Sequence, residues 1–548
     1  MIGRALVLLS LLATVACTDT STQNAPSGGT VVIATTGDAD ILFPPLLGQT
    51  TARQVTELVY DYLTEVSPAL NTFDDRTFAT RLAKSWDWSP DSLSLAVHLH
   101  PEARWHDGQP VRSDDVAYSY SIYTDSALGS SMASQLSNID SVTTTDSLTA
   151  VFWFSKRYPL QFYDATSQMQ ILPKHVFGLI RPDSLREVAG SITPVGTGRY
   201  RFVGWKSNES IEIAADSTNY RGAAKIARVI WRIFQSPDLA ARAVLSGDAD
   251  VYDAMRPENV KAAESNENVK VLISPGSDYV FMTFNLKRPL FESRELRRAL
   301  TMAVDRDAMT KNVFDSLSRA GIGPTISSFP STDPNLRQIP YDPVRSAGIL
   351  DSLGWRLDPP SKLRRRNGRE LRFSILVPTT SLNRINMSVL LQAQLRKVGV
   401  AADLEQVDGK AFGNLINSRD FDAALLSWHL GTSPASIREI WTTEAAGRDG
   451  INYGSYKNPV FDAYVDSAVT TVDTARSRRF YNLAYQTAID DAPAVWLYEP
   501  NLVLGLHKRI HTEPYRPDAW WYSLGEWDIP AAERIPRDRV GGEERRMR

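Results

Sequence analysis

Among side chains able to do chemistry, the densest group is His98 and His100, with His106 close behind. Three imidazoles so near one another have the composition of a metal site. The alternation Leu93, Leu95, Val97, Leu99 predicts a strand with one buried face, however, and this puts His98 and His100 on its polar side. No carboxylate or further histidine follows at ligand spacing, so they read as solvent-facing residues and no metal is expected. The adjacent carboxylates Asp114–Asp115 and Asp490–Asp491 point apart on a helix. They suit cap and dipole positions better than a catalytic pair. Gly196-Thr197-Gly198 lacks the Walker spacing and a following Lys-Ser/Thr, and reads as a turn between strands. No Gly-x-Ser-x-Gly elbow, His-Glu-x-x-His or cysteine pair occurs. Abundant carboxylates and tryptophans leave open a secreted glycan-active hydrolase, whose catalytic acids have no fixed spacing.

Cys17 is the single cysteine of the 548 residues, so no intrachain disulfide can form. Arg4 precedes an apolar run from Ala5 to Val15 that is too short for a bilayer-spanning helix. The run ends Thr14-Val15-Ala16-Cys17, which resembles a bacterial lipobox. Residues 1–17 are therefore expected to be a lipoprotein signal peptide, with lipid on Cys17. Residues 18–30, rich in Ser, Thr, Asn, Pro and Gly, are expected to be a flexible tether. An ordinary secretory signal with an incidental cysteine is the alternative. Either way the protein is expected outside the cytoplasm, in the periplasm or cell envelope, and the lipobox adds anchorage to a membrane.

The length calls for two or three domains. Hydrophobic content of 43% and charged content of 22% fit a globular protein. A net charge of −3 supplies no basic field for nucleic acid. The 13 Trp and 20 Tyr are mostly core, with some available to a ligand cleft.

The elements that must position any site begin with 83–123. After the alternating strand, Pro101 and Arg104-Trp105-His106-Asp107-Gly108 form a tight turn, with Gly108 suited to positive φ. Ser113 is expected to cap a helix that opens with Asp114 and Asp115. The literal residues go further. Ala83-x-Ser85-Trp86, Ser89-x-Asp91, Trp105-x-Asp107-Gly108-x-Pro110 and Asp114-Asp115-Val116 together resemble the family 5 extracytoplasmic solute-binding proteins. These are the oligopeptide, dipeptide and nickel receptors of ABC importers. Later elements agree with the resemblance: Gly196 to Tyr200, Gly247-x-x-Asp250, Arg297 to Leu300 with Asp305-Arg306, and Tyr341-Asp342-Pro343.

The resemblance implies an α/β, two-lobed periplasmic-binding-protein-like fold, the large type II variant with an extra subdomain and a cleft between lobes. Lobe I is expected over 31–277 with the extra subdomain at 80–186, lobe II over 278–491, and a return to lobe I over 492–530. The charged tail 531–548 is expected to be disordered. A strand at 31–34, a helix at 51–63, strands at 211–214 and 226–234 and a helix at 238–246 precede the extended runs 269–273 and 279–285, with a first hinge crossing at 275–279. Leu296, Leu300, Ala303 and Val304 share one helix face, which Asp305-Arg306 closes. Residues 371–377, 387–398 and 400–404 read as strand, helix and strand, and 422–428 as a further strand, together a parallel sheet. Its helix carries Met387, Leu390, Leu391, Leu395 and Val398 on one stripe. Helix 475–489, with Phe480, Leu483, Ala484 and Ala488 on one face, leads to a return crossing near 491–495.

Ligands of open α/β sheets bind outside the strands' carboxyl ends, which brings Trp428 and His429 forward. The resemblance adds Gly431, Tyr279, Asn285, Gln49 and Thr50, the last two on the loop expected to reach the cleft. In peptide receptors of this family an Asp three residues after the Trp binds the peptide's α-ammonium. Here that position is Gly431, and Pro434 comes one residue early. The implied function is capture of a solute, by majority assignment an oligopeptide, for delivery to a membrane permease, with neither catalysis nor a cofactor. An oligosaccharide, a metal chelate or a modified peptide stays open as ligand.

Overall fold

The computed structural model describes residues 28–538 apart from 316, 449 and 517. Cys17, most of the expected tether and the last ten residues lie outside them. The chain is built on one 12-stranded mixed sheet that runs through both lobes, with helices on its faces. Its central member is the 14-residue strand Ala494–His507. The first part of this strand pairs antiparallel with Asp278–Phe284, and Val280 faces Tyr498. The second part pairs antiparallel with Val269–Pro275, from Pro275 opposite Asn501 to Val269 opposite His507. Both segments that join the lobes thus lie side by side. The change of partner on the long strand falls at Glu499-Pro500-Asn501, and not at 491–495. Residues 494–498 still belong to the second lobe's ladder, and Pro500 has no N–H to offer it.

In the second lobe Arg372–Pro378 pairs parallel with both Ala401–Val407 and Ala423–His429. The helix Leu382–Lys397 crosses between the first two, burying Met387, Leu391 and Leu395, as the 3.6-residue stripe requires. Asp278–Phe284 then joins antiparallel to Ala423–His429. In the first lobe Thr30–Thr35 pairs parallel with Arg228–Ile233. The extra subdomain is a four-stranded antiparallel sheet, which includes Ser94–Leu99, packed on the helix Ser113–Thr124. Leu95, Val97 and Leu99 are buried and Leu93 half-buried. His98 faces outward between Thr149 Oγ1 (3.1 Å) and Asp87 Oδ2 (3.0 Å). Gly108 has φ +90°.

Several local expectations are corrected. Ser113 is the first residue of its helix and not the cap. Its hydroxyl donates to the Asp146 carbonyl, while Asp115 Oδ2 accepts the Arg112 N–H (2.8 Å). The first helix is Thr50–Val59, shorter than expected. The Gly196–Gly198 segment is a connection laid on that helix's end, with the Gly198 N–H donating to the Val59 carbonyl (2.8 Å). Asp305 starts the helix Arg306–Phe314, accepting the Ala308 N–H, and does not close the preceding one.

Asp490 and Asp491 end the helix Thr474–Asp491, where negative charge opposes the dipole. Three arginines answer them. Arg294 pairs with the Asp491 carboxylate (2.9 Å), and Arg297 and Arg298 donate to the last carbonyls. On the same helix Tyr481 and Tyr485 are buried beside Ala484 and Ala488, while Phe480 and Leu483 are half-buried. Residues 531–538 are ordered, contrary to the expected disorder. Asp538 accepts the Thr30 N–H (2.7 Å) and pairs with Arg509 (2.7 Å), while Arg537 reaches the fully buried Asp250.

Candidate functional site

Where the lobes face each other lies a cavity of about 630 Å³, within the range of sites that enclose a small molecule or short chain. The second lobe supplies the loop after strand Ala423–His429, with His429, Gly431, Thr432 and Ser433 on the wall. This is the carboxyl end of a parallel strand, the place at which such sheets leave room for ligand. The first lobe supplies the face of helix Thr50–Val59 that bears Arg53 and Glu57, the short helix Gln161–Ser167, and Arg516, Asp518 and Tyr522.

The lobes touch around the cavity. Arg53 Nη1 lies 3.2 Å from His429 Nε2, and the Thr432 hydroxyl donates to Tyr163 Oη (3.2 Å). Ser134 donates to Glu439 (2.9 Å), and Arg478 to Asn71 (2.9 Å). The conformation is one in which both walls are in contact.

The first lobe's wall is charged yet largely self-neutralised. Arg53 pairs with Glu57 one turn on (2.8 Å), and Glu57 also accepts from Tyr62 and Trp521. Arg516 grips Asp518 through Nε (3.1 Å) and Nη2 (2.5 Å). Burial pushes the Asp518 carboxyl up, but the Arg516 guanidinium outweighs it and holds the group below the usual carboxylate range. Tyr522 lies between two guanidinium groups, Arg81 at 4.7 Å and Arg516 at 5.0 Å from its ring centre, a cation–π arrangement. Arg81 also pairs with Glu65, whose carboxyl is raised by burial despite that partner. Asp164 differs from all of these: burial pushes its carboxyl up to about 7, and among the described residues no arginine or lysine pairs with it.

The residues singled out in the sequence are dispersed. His429 and Gly431 are on the cavity wall. Trp428 is off it, stacked on Tyr453 with ring centres 6.0 Å apart and planes at 8°. Tyr279 is fully buried, its hydroxyl accepting from Trp441 Nε1 (3.0 Å). Asn285 is also buried, and its amide donates to the Arg419 and Phe421 carbonyls (3.0 and 2.9 Å). Both are core residues with satisfied polar groups, so they do not face solute in this conformation. Gln49 and Thr50 are exposed at the start of a helix whose later residues, Arg53 and Glu57, do reach the cavity. Arg53, Asp164, Thr432, Arg516 and Asp518 were not singled out. The available signals were the i,i+4 pair Arg53–Glu57, the lone acid in Phe162-Tyr163-Asp164-Ala165, and Arg516-x-Asp518 beside four aromatics. Among the described residues no group of three or more His, Cys, Asp or Glu is placed to hold a metal ion, and no helix is long and apolar enough to cross a membrane.

Comparison with known proteins agrees with this geometry. The oligopeptide-binding protein AppA of Bacillus subtilis (strain 168) is 23% identical over 543 residues, covering 95% of this chain and 98% of AppA. The structure of that protein in complex with a nonapeptide superposes with a TM-score of 0.79 at 22% identity, covering 92% of this chain and all of that one. NikZ from Campylobacter jejuni in complex with Ni(L-His) gives 0.79 at 23% identity, covering 91% and 99%. The fold is thus that of the two-lobed periplasmic binding proteins. Residues 77–446 match the model of the bacterial extracellular solute-binding proteins, family 5. The hydrolase alternative falls with that match, because the related proteins named here are binding proteins and not enzymes. On this coverage the chain belongs to the bacterial extracellular solute-binding proteins, family 5.

Proposed function

We propose that this protein captures an oligopeptide in the cavity between its lobes and presents it to an ABC permease, held at a membrane surface by lipid on Cys17. The observation that carries the reading is the cavity itself, enclosed from both sides by contacting lobes and walled by paired charges and aromatic rings. The named relatives include a receptor solved with a nonapeptide, which favours peptide over the other solutes. Closure shifts with ligand because only the closed form offers both walls. We place the hinge at 275–278 and 499–501, where the pairing partners change. Trp428, stacked behind the wall, braces the loop that carries His429 and Gly431.

Native mass spectrometry of the mature protein mixed with a defined pentapeptide library tests this. The expected result is a set of discrete one-to-one adducts that are absent from Gly431→Trp, which places an indole in the cavity. The same spectra should show the chain starting at an acylated Cys17. Lack of adducts, or adducts equally abundant on Gly431→Trp, would overturn the peptide reading. A mature chain without acylated Cys17 would overturn the anchor.

A further inference from the structure

Asp164 sits in the short helix Gln161–Ser167 and is 6% exposed, yet it is part of the cavity wall. Every other carboxylate buried deep in that wall has a guanidinium partner: Glu57 has Arg53, Glu65 has Arg81 and Asp518 has Arg516. Asp164 has none. Its neighbours are the Tyr158 hydroxyl and the Gln168 side chain, with Tyr163 and Tyr481 within its electrostatic reach. Arg438, also on the cavity wall, acts on Tyr481 and is paired with Asp466 (2.5 Å). The Tyr158 hydroxyl, buried on the same wall, has that carboxyl as its polar neighbour and brings no positive charge to it. A buried carboxyl without a counter-charge costs stability, and sites of that kind concentrate where ligands bind.

Resting on the cavity being the solute site, we infer that Asp164 is the counter-charge for a cationic nitrogen of the ligand, an ammonium or guanidinium. The charge is then read from the first lobe, on a different element from the loop at Gly431. Burial sets the carboxyl of the free site at about 7, so it is mostly protonated at pH 6 and mostly ionised at pH 8. A docking cation favours the carboxylate, so the proton on Asp164 leaves to buffer as the ion pair forms. Tyr158, Tyr163 and Tyr481 are all held above the ordinary tyrosine range by burial and do not titrate in that window. Affinity for a cationic solute therefore rises with pH up to about 7 and levels off above it.

The test is calorimetry at pH 6 in two buffers of different ionisation enthalpy, on wild type and Asp164→Asn. The probes are Ala-Ala-Lys-Ala-Ala, its N-acetyl form, and the N-acetyl form with norleucine for lysine. We expect wild type to release close to one proton on binding a charged probe, and Asp164→Asn to release none and bind at least tenfold more weakly. Retention of affinity on acetylation assigns the lysine side chain as the cation, and loss assigns the α-ammonium. Ligand-free Asp164→Asn should melt above wild type at pH 8, as removal of an unpaired buried charge requires, whereas a purely structural Asp164 would make it melt lower. The inference is overturned by a lower melting temperature, by no binding of either charged probe, or by charged probes that bind the variant as tightly. Should the norleucine probe bind wild type as well as the charged ones, this inference fails while the peptide-receptor reading stands.

Discussion

Gly431 carries no side chain toward the cavity, yet a Cβ built there would meet no atom within 4 Å and its backbone is not in the left-handed region. The absence of a carboxylate is therefore a choice of residue and not a steric demand. Wild type should bind a free and an N-acetylated peptide without any contribution from position 431. Gly431→Asp should fold normally and add a charge-assisted contact to a free amino terminus, worth roughly 1.5–3 kcal/mol, or about ten- to hundred-fold in affinity. Calorimetry with the paired peptides on both proteins checks this; an unchanged ratio in the variant would show that the loop does not face the ammonium. At this scale the sequence was legible where a motif has fixed spacing, as for the loop after Trp428. It was silent on Arg516 and Asp518, which meet the cavity only through the folding back of a segment some 90 residues further along the chain. It misled on Tyr279 and Asn285, because a strand that leads to the cleft also has an inward face, and the core took them.

Elements were legible wherever period and punctuation agreed. The strand–helix–strand unit at 372–407 follows from a 3.6-residue stripe between two apolar runs, and its parallel pairing from the handedness of the crossover. The return crossing was misplaced because an apolar run shows that a strand is buried but not which neighbour it pairs with. The closing segment was misread for a related reason. Arg537 and Asp538 look like a solvated tail in composition, but Asp250, at 0% exposure, needs them. Arg509 and Arg537 both bind its Oδ1, and Asp250 Oδ2 also accepts the Val32 N–H (2.8 Å). This cluster ties the first strand, the central strand's end and the C-terminal segment together. Asp250→Ala should leave two arginines facing an empty site and cost about 3–5 kcal/mol. Chemical denaturation measures it, and a loss below about 1 kcal/mol would mean the segment is held otherwise. The glycine between the two hinge strands is similarly specific, since a Cβ at Gly276 would lie 2.3 Å from the Pro500 carbonyl oxygen. Only glycine lets the crossings run that close.

At the scale of the whole molecule, one sheet passes through both lobes, and its central strand changes pairing partner at 499–501. A hinge at that point, as proposed, would be narrow, so the free energy of binding could move one lobe against the other without unfolding either. Among the described residues, polar contacts between the lobes include Arg53 with His429, Thr432 with Tyr163, Ser134 with Glu439 and Arg478 with Asn71. Contacts of this kind, solvent-accessible or neutral, are worth about 1 kcal/mol or less each. On the proposed reading, a solute that touches both walls adds to them and favours the closed form. Small-angle X-ray scattering of the ligand-stripped protein, before and after saturation with a peptide shown to bind, tests this most directly. The account predicts a smaller radius of gyration with peptide and recovery of the larger value when the peptide is removed. An identical scattering profile at confirmed saturation would contradict it, and would make the cavity a rigid platform instead of a closing trap.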